Sequence, residues 1–386
     1  MKNLPKYKLS RRKFLIGTGA VLALSAIGGG VFVHTAKFGA KATGMRKERI
    51  LNSPHYQNGE FKNFEPLMPT AKDGKFLSNM KELVYPTKGV TAPIKAISAI
   101  KTDLKNLSEE NKDVFVWLGH SSSFLQIDKK KILIDPVFSS YASPLPFLIR
   151  AFDGTRIYAC EDMPAIDILV ISHDHWDHLD YATVMGLKNK IKHIVCPLGV
   201  GSHLESWGFA PEIIHEGDWY EEIAFEDSFK IHVLPSRHFS GRLFERNQTL
   251  WGSFAFVSKN KKIFYSGDGG YGKHFKEIGK LFGGFDFAIM EDGQYNESWH
   301  SVHMMPEESA TASCDINAKV IVPVHSGKFC LSPHRWQEPY ERLKIASQNA
   351  NYKLITPKIG QSVYINENLI QNTNYIAKNF TDWWTI

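Results

Sequence analysis

The chain has 386 residues, of which 43% are hydrophobic and 22% are charged. This composition is typical of a globular protein with one large domain or two ordinary ones. The net charge of +6 originates at the N-terminus, where the first thirteen residues contain six basic side chains and no acidic one: Lys2, Lys6, Lys8, Arg11, Arg12 and Lys13. Without these six, 40 basic residues remain against 40 acidic ones, so the extended basic surface of a nucleic-acid-binding protein is not expected.

The basic N-terminus leads into an uncharged apolar run, residues 14–33, which is the layout of a secretory signal. Ser10-Arg11-Arg12-Lys13-Phe14-Leu15 matches the twin-arginine pattern. We therefore expect residues 1–35 to be a twin-arginine-type signal or membrane anchor, since a run of about 20 apolar residues can also span a bilayer. The protein would then be periplasmic, or anchored to the inner membrane and facing outward. Whether the segment is cleaved stays open, as does a cytosolic protein with an apolar N-terminal helix.

Residues 36–111 are rich in Lys, Pro and Asn, with only short apolar patches. This pattern predicts irregular segments and short helices that cover the core as a strap, not a separate domain. The four cysteines, Cys160, Cys196, Cys314 and Cys330, form no Cys-x-x-Cys pair. At this chain length no disulfide framework is needed, so we predict four small core residues.

From residue 112 onward the pattern favours strands, with helices between them. Residues 114–119, 122–127 and 131–135 predict an antiparallel meander. Further strands are predicted at 166–171, 191–197, 230–235, 253–258, 262–266, 285–290, 319–324, 352–355 and 361–365, and helices at 181–190, 199–208 and 306–317. Strands dominate, with helices between them in each half of this region. The pattern predicts one domain of strands and helices over residues 112–386.

The strand at 166–171 leads directly into a dense polar motif, His173-x-His175-x-Asp177-His178. The motif lies on a loop between a strand and a helix. Imidazole and carboxylate groups together suit zinc, iron or manganese. Three histidines within six positions make a merely solvated polar loop the weaker interpretation.

Three more candidate ligands, His238, Asp268 and His325, each follow the end of a predicted strand. One such histidine alone would more often be structural, but three beside the motif indicate a shared metal site. Five histidines and two aspartates exceed the needs of one tetrahedral ion and fit two ions bridged by a carboxylate. Asp135, at another strand end, is predicted to orient a ligand from behind; a turn-forming Asp-Pro is the alternative.

These residues resemble the metallo-β-lactamase fold superfamily, and within it the branch of N-acylphosphatidylethanolamine-hydrolysing phospholipase D and its bacterial relatives. The resemblance covers roughly residues 112–365. It rests on 171–180 and on seven further segments: Trp117-Leu-Gly-His-Ser-Ser122, Asp135-Pro-Val-Phe-Ser139, His238-Phe-Ser-Gly-Arg242, Leu250-Trp-Gly-Ser253, Gly267-Asp-Gly-Gly-Tyr271, His303-Met-Met-Pro-Glu-Glu308 and His325-Ser-Gly-Lys328. The chain departs from the branch at Ser326, where Trp is frequent, and at Gly269, where Thr is frequent.

The resemblance implies an α+β fold, a four-layer αββα sandwich with metals at one edge. One ion would be held by His173, His175 and His238, and the other by Asp177, His178 and His325. Asp268 would bridge the two ions, which are expected to be zinc, with iron and manganese as alternatives. Asp177 and His303 would be catalytic, with His303 donating a proton or binding phosphate; helix capping is the alternative for His303. No separate cofactor-binding residues are expected.

The expected function is binuclear, metal-dependent hydrolysis of phospholipase D type on N-acylphosphatidylethanolamine-like lipids, through a metal-bound hydroxide. The partners would be a lipid or small phosphodiester and a membrane, without nucleic acid; the oligomeric state is open. Alternatives are a lactonase or esterase for a small substrate, phosphorylated or not, a non-catalytic membrane-anchored binding protein, and an oxygen-dependent di-iron protein. A class B β-lactamase is disfavoured, because a cysteine normally occupies the place of Asp268.

Overall fold

The computed structural model describes residues 35–68, 81–107, 112–226, 228–242 and 245–385. The predicted signal or anchor segment, residues 1–35, lies outside these ranges except for its last residue. Within them, no helix combines the length and the apolar character needed to cross a bilayer.

The first part of the described chain contains short elements that lead into six strands and two helices. A 3-10 helix (Ala36–Phe38) and helix α1 (Gly44–Leu51) precede a two-stranded hairpin, β1 (Tyr56–Gln57) and β2 (Glu60–Phe61). Then follow β3 (Val114–Gly119), β4 (Ser122–Ile127), β5 (Lys130–Ile134), a 3-10 turn (Cys160–Asp162), β6 (Ile166–Val170), α2 (Tyr181–Leu187), a 3-10 turn (Lys188–Lys190), β7 (Ile191–Pro197), α3 (Gly201–Ser206), a 3-10 turn (Pro211–Ile213) and β8 (Ile214–Gly217).

The second part repeats this alternation of strands and helices. It contains β9 (Glu222–Glu226), β10 (Phe229–Leu234), β11 (Ser253–Val257), β12 (Lys262–Tyr265), α4 (His274–Phe282), β13 (Phe287–Glu291), a 3-10 turn (Glu297–Trp299), α5 (Pro306–Asp315), β14 (Val320–Val324), α6 (Glu338–Ala346), β15 (Lys353–Leu354), β16 (Ser362–Tyr364), α7 (Glu367–Gln371), α8 (Thr373–Asn379) and a 3-10 turn (Trp383–Thr385).

These strands form two seven-stranded mixed sheets. The first has the order β16-β3-β4-β5-β6-β7-β8 and the second β15-β14-β13-β12-β11-β10-β9. The predicted meander is confirmed, since β3, β4 and β5 pair antiparallel. Strands β5 to β8 then run parallel, as do β12 to β15. The carboxyl ends of parallel strands meet at one edge of an open sheet, where α/β proteins place their sites.

Successive side chains of each strand point to opposite faces of its sheet, and both faces are covered. Phe115 of β3 and Phe287 of β13 contact each other between the sheets, with ring centroids 5.2 Å apart, inside a core shared by both sheets. Val184 and Leu204 from α2 and α3 pack on the outer face of the first sheet. Helices α4, α5 and α6 cover the outer face of the second sheet, for example through Ile278. The result is the expected αββα sandwich.

The chain before β3 lies along the surface of this sandwich, where backbone hydrogen bonds attach it to distant segments. Phe61 N donates to Asn247 O at 2.8 Å. Farther on, Ile100 N donates to Ile359 O, also at 2.8 Å. The described residues of 36–111 therefore contact segments that are far away in the sequence.

Several details differ from the sequence-based expectation. The helix predicted at 181–190 ends at Leu187 and tightens into the 3-10 turn. Strands β8 and β9 and helices α4, α6, α7 and α8 were not predicted. All four cysteines are free, but Cys314 is exposed and Cys160 is only partly buried, so the prediction of four core residues is wrong for these two.

Candidate metal centre

His173 and His175 lie on the loop after β6, and His238 lies on the loop after β10. The Nε2 atom of His173 lies 2.9 Å from Nδ1 of His175, and Nε2 of His238 lies 3.3 Å from the same atom. His238 Nδ1 donates to the carbonyl oxygen of Val302 at 2.9 Å. That bond fixes the proton on Nδ1, so the Nε2 lone pair points into the group. The structure thus brings the first predicted triad together.

Asp177, His178 and His325 form a second group beside the first, joined by His120. His178 Nε2 lies 3.5 Å from Asp177 Oδ2. The Nδ1 atom of His325 lies 2.9 Å from the hydroxyl of Ser121. The second predicted triad is also assembled, because the β6 loop and the end of β14 approach each other at the same edge of the sandwich.

Asp135, at the end of β5, orients the histidine-rich loop after β6 from behind. Its Oδ2 accepts a hydrogen bond from His178 Nδ1 at 2.7 Å and from the Tyr265 hydroxyl at 2.5 Å. Ser172 donates twice, from its backbone N to Oδ1 and from its hydroxyl to Oδ2. A carboxylate that accepts a hydrogen bond from Nδ1 of a histidine leaves Nε2 of that ring available to a metal. Asp135 and His178 have this arrangement, as the sequence predicted for Asp135.

Asp268 lies between the two groups. Its Oδ2 is 3.0 Å from His178 Nε2 and 3.9 Å from the Nε2 atoms of His173 and His238. Its Oδ1 is 3.1 Å from His325 Nδ1. Asp268 Oδ1 and His178 Nε2 are buried without a hydrogen-bond partner. Buried polar atoms without partners are costly, and a cation bound in the cluster would supply a partner to both this oxygen and this nitrogen.

The pKa values of the three histidines in the first triad agree with this interpretation. Burial, followed by neighbouring histidines, lowers the pKa of His173 and of His238 well below its ordinary value. Burial likewise lowers the pKa of His175 to about 4. These rings are therefore neutral at pH 7, and neutral imidazole is the form that binds a metal. Burial, with Glu291 nearby, raises the pKa of Asp268 to about 7, so a cation there would favour its ionised form.

His303 lies at the edge of the cluster, just before α5. Its ring centroid is 5.0 Å from that of His238 and 5.2 Å from that of His325. Its Nδ1 is held by Oε1 of Glu291, a fully buried residue at the end of β13 whose Oε2 accepts from Gly269 N at 2.9 Å. The helix cap is provided elsewhere, since Glu308 accepts from Met305 N. His303 is thus placed beside the candidate ligands by Glu291.

Two residues of the site were not predicted. His120, at the turn between β3 and β4, is fully buried, and its Nε2 lies 2.9 Å from Asp177 Oδ2. Glu291, the last residue of β13, directly follows the strand predicted at 285–290, and no role was predicted for it. Each is a single polar residue without a ligand-like spacing, although the position of His120 next to Gly119 at a strand end was a signal that could have identified it.

The two departures from the branch pattern have structural counterparts. At Gly269, a Cβ atom would overlap the hydroxyl of Ser236, so the close approach of two loops explains why a larger residue does not fit. Ser326 is buried, and its hydroxyl donates to the Tyr340 hydroxyl at 2.9 Å. Neither residue belongs to the cluster of candidate ligands.

A family model described as the beta-lactamase superfamily domain matches residues 130–326, which contain the loops after β6, β10 and β12 and His325 after β14. The chain belongs to the metallo-β-lactamase superfamily. It is 36% identical to an uncharacterized protein of Mycobacterium tuberculosis over 85% of this chain and 88% of that protein. It is 31% identical to N-acyl-phosphatidylethanolamine-hydrolyzing phospholipase D 1 of Caenorhabditis elegans over 59% of this chain and 68% of that protein.

This second relative places the chain in the branch related to N-acylphosphatidylethanolamine-hydrolysing phospholipase D. Among solved structures, Igni18, a metallo hydrolase from the archaeon Ignicoccus hospitalis, is similar with a TM-score of 0.52 at 19% identity. The similarity covers 65% of this chain and 97% of that protein. At this identity the likeness supports the fold. Together these relationships identify the chain as a metallo-hydrolase of the superfamily.

Proposed function

We propose that the protein is a binuclear metal-dependent phosphodiesterase of phospholipase D type that hydrolyses N-acylphosphatidylethanolamine-like lipids. The observation that carries this proposal is the position of Asp268, within 3.0 to 3.9 Å of nitrogen atoms from both ligand groups. Support for the substrate class comes from the branch to which the chain belongs.

The donor set fits two divalent ions. His173, His175 and His238 would hold one ion, Asp177, His178 and His325 would hold the other, and Asp268 would contact both. Mixed imidazole and carboxylate ligands suit zinc, the ion that we propose. Two such ions lower the pKa of a bound water and polarise the phosphoryl group that is attacked.

The remaining chemistry falls to side chains of the protein. Asp177, held at Oδ2 by His120, would orient the attacking water. Burial raises the pKa of Glu291 well above its ordinary value, so its protonated carboxyl donates to His303 Nδ1 and the one proton of the neutral ring lies on Nε2. Burial lowers the pKa of His303, so the ring stays neutral; Nε2 would donate a hydrogen bond to the phosphate, and the leaving oxygen would take its proton from solvent.

We also propose that the protein is exported by the twin-arginine route and contacts a membrane. Support comes from the basic residues Arg11 and Arg12 and the apolar run 14–33. Replacement of both arginines by lysine should leave the protein in the cytoplasm. Cell fractionation measures this outcome, and unchanged export of the double variant would contradict the route.

The function is tested with the full chain in detergent, loaded with zinc and incubated with vesicles containing an N-acylphosphatidylethanolamine. We expect phosphatidic acid and the N-acylethanolamine in equal amounts by mass spectrometry, and two zinc ions per chain by elemental analysis. His175→Ala should abolish product, whereas His232→Ala, at a half-buried histidine on β10 outside the cluster, should not. No phosphatidic acid, with hydrolysis of a lactone or simple ester instead, would overturn the proposal.

A further inference from the structure

His120 occupies a turn that is fixed from two sides. Its backbone is in the left-handed region, with a φ of 54°, which residues other than glycine seldom adopt. Its carbonyl oxygen accepts a hydrogen bond from Trp117 Nε1 at 2.7 Å and from the backbone N of His325 at 3.1 Å. Strained conformations of this kind persist where the surroundings determine them, and they cluster at functional sites.

The ring of His120 is enclosed by the cluster. Its centroid lies 4.2 Å from that of His325 and 5.2 Å from that of Phe329. Nε2 lies 2.9 Å from Asp177 Oδ2, whereas Nδ1 is buried without any hydrogen-bond partner. The ring is fully buried, so solvent does not provide the missing partner.

This asymmetry locates the proton. A proton on Nδ1 would be a buried donor without an acceptor, which is unfavourable both for that tautomer and for the charged ring. The proton therefore lies on Nε2, and Nε2 donates to Asp177. A nitrogen that carries a proton has no lone pair for a metal, so His120 cannot use Nε2 as a ligand in this arrangement.

Three of the candidate ligands show the opposite arrangement. Metal-binding histidines usually donate their second ring N–H to a neighbouring acceptor. In this cluster the Nδ1 atoms of three histidines have such partners: His173 with the Ser172 hydroxyl at 3.0 Å, His178 with Asp135 at 2.7 Å and His238 with Val302 O at 2.9 Å. Nδ1 of His120 has none, which separates it from these ligands despite its place among them.

We propose that His120 is a positioning residue that holds the Asp177 carboxylate in the second ligand group and is not itself a metal ligand. Asp135 holds His178 in the same group through an equivalent bond. The proposal rests on the two-ion centre proposed above. It adds that the affinity of the second ion, and the placement of Asp177 for the attacking water, depend on a hydrogen bond from the β3–β4 turn.

The test is a zinc titration of the full chain against a chelator of known affinity, which yields two dissociation constants. His120→Ala should raise the dissociation constant of one ion by about 10- to 100-fold, the usual effect of removing a hydrogen-bond partner of a ligand. The other dissociation constant should stay within about threefold of the parent value. In His120→Gln the side-chain amide can again donate to Asp177, so both constants should return to within about threefold of the parent. Asn317→Ala, at an exposed residue with the same left-handed φ of 54°, controls for the backbone and should change neither constant.

The outcomes separate the two proposals. Complete loss of one ion in His120→Ala without recovery in His120→Gln would show that His120 is a ligand and overturn its positioning role. Equally weaker binding of both ions, together with a lower melting temperature, would reveal a general structural role of His120. That result would also overturn its positioning role. Fewer than two ions in the parent chain would instead refute the binuclear function, whichever result the variants give.

Discussion

Replacing Asp135 by Asn tests how far the metal-binding loop depends on one buried carboxylate. Asn has nearly the same shape and also tolerates the φ of 41° at this position, so the backbone is preserved. It carries only one oxygen, however. The carboxylate of Asp135 accepts four hydrogen bonds: one from Ser172 N, one from the Ser172 hydroxyl, one from His178 Nδ1 and one from the Tyr265 hydroxyl.

The expected loss follows from these contacts. The Asn oxygen best replaces Oδ2, where three donors converge, and each of those bonds loses the charge of the carboxylate, about 1 kcal/mol apiece. The amide group then faces Ser172 N, and an unsatisfied buried donor costs about 1–3 kcal/mol. The smaller desolvation of a neutral side chain offsets part of this sum. We expect the free energy of unfolding to fall by about 2–4 kcal/mol and the ion at His178 to bind about 10- to 100-fold more weakly.

Urea denaturation and zinc titration of the same preparation measure the two effects. Asp113→Asn is the matched control, because Asp113 also accepts from a backbone N, that of Asp128, but lies directly before β3, outside the cluster. Zinc affinity in Asp135→Asn equal to that of the parent would refute the reasoning, since His178 would then not need its anionic partner.

Variants at three further residues address other parts of the molecule. His175→Ala should remove the ion of the first triad and all activity, while circular dichroism shows a retained fold. Glu291→Ala should lower kcat about 10- to 100-fold at unchanged zinc content, because His303 loses its partner. Burial raises the pKa of Glu291 well above its ordinary value, so Glu291→Gln, an isostere of the protonated form, should stay within about threefold; an equal loss in both variants would indicate an ionised Glu291. Burial lowers the pKa of Lys328 to about 7 from 10.5. The unfolded chain therefore binds more protons between these values, and stability should rise with pH there by up to about 1.4 kcal/mol per unit. Lys328→Met should remove that slope in urea melts at pH 7 and pH 9, and an unchanged slope would contradict the buried neutral amine.

Much of the fold was predictable because its strands carry a simple signal. The run at 114–119 is continuously apolar, and those at 122–127 and 191–197 are apolar mainly in their second halves; the observed strands have the same limits. Strand β8 was missed because Ile214-His215-Glu216-Gly217 is mostly polar; as an edge strand it is only partly buried. Helix α6 begins at Glu338-Pro339 and packs on the core through Tyr340 and Leu343, a contact set by tertiary structure.

The seven candidate ligands could be found because each belongs to a pattern: a dense histidine motif, or a polar residue at a strand end. The residues that orient them were harder to identify. His120 and Glu291 act through single hydrogen bonds to other side chains, and the spacing of these residues in the sequence does not indicate those bonds. Asp135 was found only because it also follows a strand.

The origin of the ligands connects the metal centre with the fold itself. His173, His175, Asp177 and His178 follow β6 in the first sheet, whereas His238, Asp268 and His325 follow β10, β12 and β14 in the second. Asp268 approaches His178 to 3.0 Å across the boundary between the sheets. Cations held there would therefore link the two halves of the sandwich at one edge, in addition to the apolar core between them. Because binding to the folded state alone stabilises it, the same contacts that prepare the centre for chemistry would also hold the two sheets together.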